Sequence, residues 1–235
     1  MRANTSMFRS VLLAVLGASL AGCSSSTLAQ GASGNKGTIP TTTTVISTNS
    51  SNAVASGNGS VLPVVANGNG WSASGLEGQI PPAGGCHYRY FGKWVLPDPK
   101  CTPGSITPLV TSSNLSSTIC RRGYSASVRP PVSLTEPAKY ALMRAYGLTG
   151  SPSRYEFDHL IPLELGGSSN LANLWPEPNQ GTPSELNPYS HYGLNAKDGV
   201  ESQSNYAVCD KGYPLALAQQ EMAQNWVLAN QKMPN

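Results

Sequence analysis

Charge is scarce in this chain. Of 235 residues only 11% are Asp, Glu, Lys or Arg, and the formal net charge at pH 7 is +3. From Cys86 to Asn235, 12 Lys and Arg stand against 11 Asp and Glu. That near balance argues against a strongly basic surface of the kind that grips a phosphate backbone. Long apolar runs are missing too: Val11 to Leu20 is too short to cross a bilayer, which takes about 20 apolar residues. The five cysteines contain no Cys-x-x-Cys pair, and this speaks against a zinc site built on paired thiolates. Between Ser24 and Gly85 charge almost vanishes, with Lys36 and Glu77 the only charged side chains. Such a Ser-, Thr-, Asn- and Gly-rich stretch has too little apolar surface to offset its ordering entropy. It reads as a flexible tether over residues 23–85.

The N-terminus does carry a pattern. Arg2 and Arg9 precede the apolar run, and Leu20-Ala21-Gly22-Cys23 follows it. A positive flank, a short apolar segment and small residues at a cleavage point describe a secretory signal peptide over residues 1–22. The four residues Leu20 to Cys23 also resemble a bacterial lipobox. That resemblance implies acylation of Cys23 and membrane attachment through a lipid anchor, which is stable when two or more chains are added. With Ser24 next, it implies an exported, lipid-anchored envelope protein, at the outer membrane where the organism has one.

Setting Cys23 aside leaves Cys86, Cys101, Cys120 and Cys209. An even number in an exported chain favours two disulfides, with three connectivities open. We favour Cys86–Cys101 as a local loop and Cys120–Cys209 as a long clamp. Residues 86–235 are the length of one small domain. Three helices are legible. Thr135-Glu136-Pro137 signals a start, with Thr135 as cap, and Gly147 a stop. A second helix is expected over about Asn195–Ala207 and a third from Pro214 to about Gln231. The third carries Leu215, Ala218, Met222, Trp226 and Ala229 at helical spacing. Ser125–Arg129 reads as a short extended segment.

The stretch richest in chemistry is Glu156 to Trp175, EFDHLIPLELGGSSNLANLW. Asp158 offers a hard oxygen ligand suited to Mg²⁺, Mn²⁺ or Ca²⁺. His159, with an ordinary pKa near ~6.5, is a base at neutral pH. Consecutive strand residues point to opposite faces, so for both to serve one centre they must sit where a strand breaks into a loop. Gly166-Gly167 supplies a turn. Leu171, Leu174 and Trp175 then return as a second extended segment, which Pro176 and Pro178 should end.

This string resembles the HNH endonuclease family. Thr118-Ile119-Cys120, Ser127-Val128-Arg129-Pro130-Pro131, Asn195-Ala196-Lys197-Asp198 with Glu201, Val208-Cys209 and the Ala218-Gln219-Gln220 helix are similar to small exported bacterial HNH-like proteins. The resemblance implies an α+β fold: a small ββα-metal core with flanking helices, here disulfide-stapled and lacking the structural zinc of some members. It implies one divalent metal, Mg²⁺ first, with Mn²⁺, Ca²⁺, Zn²⁺ or Ni²⁺ as options. Asp158 would be a metal ligand and His159 the general base. Asn170 would bond the loop backbone and hold His159 in place. A further ligand would be Asn195 at a helix start, ahead of Asn179, with His191 outside these two. Arg129 or Arg154 would stabilise phosphorane charge. Apart from the resemblance, Arg121, Arg122, Arg129, Arg144 and Arg154 either share one face or are scattered, solvated charges. Lys197 and Asp198 belong either to the site or to an ordinary helix surface, and His87 reads as structural. The activity implied is metal-dependent hydrolysis of nucleic acid, DNA before RNA. The competing expectation is an envelope binding module that keeps the fold without cleaving; a secreted toxin-like nuclease comes third.

Overall fold

A computed structural model describes residues 62–65, 68–190 and 193–235. The stretches read as signal peptide and, up to residue 61, as tether lie outside the described residues, as do Cys23 and His191.

The elements run in chain order as β1 (Trp71–Ser72), β2 (Gly75–Leu76), β3 (Arg89–Phe91), β4 (Trp94–Leu96), α1 (Tyr124–Val128), α2 (Val132–Ala145), β5 (Tyr155–His159), β6 (Leu174–Pro178), α3 (Ala196–Lys211) and α4 (Leu215–Lys232). The strands form three two-stranded antiparallel sheets, β1-β2, β3-β4 and β5-β6. The fold is α+β, as the sequence led us to expect. No described helix is long and apolar enough to cross a membrane.

The core gathers where β5, β6 and the two C-terminal helices meet. Trp175, Leu160, Ile161, Leu165, Leu174, Leu142, Val200, Met222 and Trp226 are all buried there. α3 starts cleanly because Asn195 and Asp198 form a reciprocal capping box, and it stops at Gly212 in the left-handed region. α4 bends at Asn225, whose backbone leaves helical geometry and whose Oδ1 accepts from the amides of Val227 and Leu228. The second half of α4 is in effect recapped by that side chain.

Two disulfides staple the domain, Cys86–Cys101 and Cys120–Cys209, with Cα–Cα separations of 5.9 and 5.5 Å. This is the pairing favoured from the sequence, and it places the domain in an oxidising, extracytoplasmic setting.

Several local expectations need correction. Ser125–Arg129 is not extended, since Tyr124–Val128 form α1, with Tyr124 and Val128 buried. α2 begins at Val132, not at Thr135, and Pro131 flanks its start. The Thr135 hydroxyl donates back to the Val132 carbonyl instead of capping. Pro137 sits inside the helix; the Ser133 carbonyl it leaves without an intrahelical partner belongs to an exposed residue, so water can satisfy it. β6 runs through Pro176 and Pro178. A two-stranded sheet leaves β6 with a free edge, where a missing N–H costs no ladder bond.

The folded region also begins before residue 86. Val64 bridges Ile106, Val65 is buried, and β1-β2 forms a tight hairpin. Part of the stretch read as tether is therefore wall of the domain. Asn69 and Glu77 give their carbonyls to the amides of Ser169 and Leu171, and the Trp71 indole donates to the Val128 carbonyl at 2.9 Å.

Candidate functional site

The site grows from the β5-β6 hairpin. Asp158 pairs with Trp175 and His159 with Leu174, so both belong to the regular ladder, with His159 the last residue of β5. The strand gives way to the loop only after His159, so no break turns both side chains to one centre, and strand alternation sends them apart. Asp158 turns to α3 and to Trp175: its Oδ2 accepts from Lys197 Nζ at 2.8 Å and from the Trp175 indole at 3.0 Å. The His159 ring turns to the loop that follows, where its Nε2 meets Ser169 Oγ at 2.9 Å. Only 6% of His159 is exposed. Burial pushes its pKa down to about 3, the Arg129 and Lys197 charges push the same way, and Asp158 opposes them. The ring is therefore neutral at physiological pH.

Between the strands the chain makes a tight loop. Gly166 takes φ 72°, and a Cβ on Gly167 would lie 1.8 Å from the Ile161 carbonyl oxygen. Only glycine fits this approach. The loop is tied together by Asn173, which is fully buried. Its Oδ1 accepts from the amides of Ile161 (2.9 Å) and Ser105 (3.4 Å). Its Nδ2 donates to the carbonyls of Ile161 (2.9 Å) and Ser168 (2.8 Å). The loop-holding role expected of Asn170 thus belongs to Asn173. Asn170 only caps the next 3₁₀ turn, accepting from the Ala172 amide. The clue in the sequence was an asparagine directly before the returning strand, three residues later than the one we favoured. Replacing Asn173 with Ala should cost ~3 kcal/mol or more, because it strands buried backbone groups on both sides of the loop. Urea unfolding would show this, and a loss below about 1 kcal/mol, the net worth of a single hydrogen bond, would refute the role.

On the α3 side the polar groups are dense. Lys197 is 1% exposed. Its Nζ donates to Asp158, to the His159 carbonyl at 2.8 Å and to Glu201. Burial alone would favour a neutral amine, but Asp158, Glu201 and Glu177 outweigh it and raise the pKa above the ordinary lysine value. Glu177 is buried opposite Glu156 in the ladder. Desolvation and then the Asp158 charge raise its pKa well above the usual carboxylate range. Glu156 is pushed up to about 7, first by burial and then by Asp158 and Asp198.

The candidate ligands are not drawn to one centre. Asn195 does sit at the start of α3, yet its Oδ1 accepts from the Gln180 amide (2.8 Å) and its Nδ2 donates to Glu156 (2.7 Å). Asn179 is exposed and donates to the Ser153 carbonyl at the other end of β5. Lys197 and Trp175 already engage one oxygen of Asp158. Among the described residues no group of three His, Cys, Asp or Glu side chains is arranged to hold a metal. Asp158, Asn195 and Asn179 therefore do not fit a shared divalent ion in this geometry. Of the two readings left open for Lys197, the structure gives the buried one, with Glu201 as a partner, and Ser169 was missed because nothing local marks a serine as a histidine partner. Asp198 completes the capping box of α3, accepting from the Asn195 amide.

The arginines divide. Arg129 lies close enough for its charge to act on both His159 and Glu164. Arg121 and Arg122 line an open groove of about 470 Å³ with Glu164 and Asn205. Arg154 precedes β5 at the end away from His159. His87 is exposed beside the Cys86–Cys101 bridge, its amide donating to Asp98.

Comparison with known proteins gives no matching family model, no matching curated protein and no matching solved structure.

Proposed function

We propose that this domain is a nuclease-type module that hydrolyses phosphodiester bonds of nucleic acid, DNA before RNA, with His159 as general base. The observation that carries the reading is geometric: the His159 imidazole stands at the end of β5, in a hairpin that α3 follows, with its Nε2 turned to the Gly166-Gly167 loop at Ser169. Its Nε2 would take a proton from water as the oxygen attacks phosphorus, and the P–O bond to the leaving oxygen would break. Arg129 supplies positive charge beside the reacting centre. The groove lined by Arg121 and Arg122 offers room for neighbouring phosphates. No step is routed through a metal ion. The N-terminal residues support export and lipid anchoring at Cys23, so the substrate would be met in the cell envelope.

A second reading has one specific observation in its favour. With His159 only 6% exposed, water and phosphate do not reach its ring unless the loop or the β1-β2 hairpin shifts. A module that binds nucleic acid or another envelope partner without cleaving it fits that closure.

Nicking of supercoiled plasmid by the full chain, matured in an oxidising compartment, separates the two. The nuclease reading expects cleavage that falls by about 10²–10⁴-fold in His159→Ala. Salt-dependent binding without cleavage, by a folded chain, would transfer the conclusion to the binding module. Neither binding nor cleavage would remove nucleic acid from the account.

A further inference from the structure

We infer that Lys197 is a built-in counter-cation, its ammonium standing between β5 and the start of α3 where the family resemblance implied a divalent metal ion. An ammonium has three donors. Here they meet three oxygens: Asp158 Oδ2 at 2.8 Å, the His159 carbonyl at 2.8 Å, and Glu201 Oε1. Two are carboxylates, one from the strand and one from the next turn of the helix, and the third is a strand carbonyl. Carboxylate and carbonyl oxygens are also the ligand types that hard divalent ions take. With Lys197 1% exposed and Asp158 7% exposed, the ammonium fills the space between them. A divalent ion would have to displace it, exposing a buried charge or stranding it.

The arrangement has a structural consequence. The lysine ties the carboxylate of Asp158 and the backbone of His159 to α3, and so fixes where His159 stands. A cation carried on the chain does this without loading and is not lost to chelators. The inference concerns the chain's own stability and ion binding, and holds whether or not the domain cleaves nucleic acid.

The test uses the full chain, thermal melts and Mn²⁺ binding followed by the free-ion EPR signal. For the native chain we expect a Tm that moves by no more than about 1 °C between EDTA and millimolar Mg²⁺, Ca²⁺ or Mn²⁺, because an ion that does not bind the folded state does not shift its stability. We also expect no stoichiometric Mn²⁺ uptake. Lys197→Ala empties the position and should lower Tm by about 10 °C. It should then recover several degrees with Mn²⁺ or Ca²⁺, and that recovery should disappear in Lys197→Ala/Glu201→Gln. A lysine that merely fills space would leave neither variant sensitive to metal. Stoichiometric Mn²⁺ binding by the native chain with a raised Tm would overturn the inference, as would a folded Lys197→Ala that ignores divalent ions. If Lys197→Ala does not fold alone, refolding it in EDTA and in millimolar Mn²⁺ or Ca²⁺ decides: folding only with the ion supports the inference, and folding in neither overturns it.

Discussion

Replacing Cys120 and Cys209 together with serine should lower stability by ~4–5 kcal/mol, against ~3 kcal/mol for the pair Cys86 and Cys101, on the chain-entropy scale for loop closure. The difference comes from loop length: the first bridge spans a sequence separation of 89 and the second one of 15. The longer loop contains α1, α2, the β5-β6 hairpin and nearly all of α3. Opening it frees every element that carries the site, whereas the shorter loop holds the β3-β4 hairpin. Contacts near the long bridge reinforce it, since Asn205 donates to the carbonyls of Ile119 and Glu164. Urea unfolding of the two serine pairs, read as free energy at matched m-values, measures the difference. Equal losses, or a larger loss for the short loop, would show that loop entropy does not govern how these bridges stabilise the fold.

The sequence made some of this plain and hid the rest, for identifiable reasons. α4 was legible because an apolar stripe at helical spacing is a local signal. The disulfide pairing was legible because an even cysteine count left few choices and the local loop was short. The Gly166-Gly167 turn was legible because backbone that tight excludes side chains. Local signals failed where the partner was distant. α1 is held by burial of Tyr124 and Val128 against other elements, and a five-residue helix leaves too little periodicity to recognise. Two prolines were expected to end the returning strand, but the rule they invoke applies to strands paired on both edges, and β6 runs through them. In the site, the sequence drew attention to Asp158 and His159 but did not give their arrangement. Placing both at one centre required a strand break, and the register continues through both. Asn170 and Asn173 carry the same chemistry three residues apart. Only the tertiary path of the loop decides which amide meets Ile161 and Ser168. Lys197 was hardest to foresee, because a lysine next to a helix cap usually lies on the surface.

His159 should make the fold sensitive to acid, with a sign opposite to that of Glu156. In the folded chain the His159 pKa lies at about 3 against an ordinary 6.5, so between these values the unfolded chain binds more protons. Stability then rises with pH. The penalty is absent above the unfolded pKa, grows as pH falls through 6.5, and is complete below about 3. Treated as an order of magnitude, it amounts to ~2–4 kcal/mol. Glu156 works the other way: its folded pKa of about 7 exceeds the usual 4.5, so the folded chain holds the extra proton. Stability from this group is present below the lower value and is lost as pH rises through the upper one. The two slopes oppose each other over their overlap, so neither would stand out in the native profile alone. Differences between chains isolate them. The stability of native protein minus that of His159→Gln, whose amide can still bond Ser169, should fall by ~2–4 kcal/mol between pH 7 and pH 3. The matching difference for Glu156→Gln should fall between pH 4.5 and pH 7. A His159 difference that stayed level across this range would mean that the ring takes up its proton in the folded chain as readily as in the unfolded one. The burial that keeps it neutral would then be relieved in solution, and His159 would be open to water and substrate at the outset.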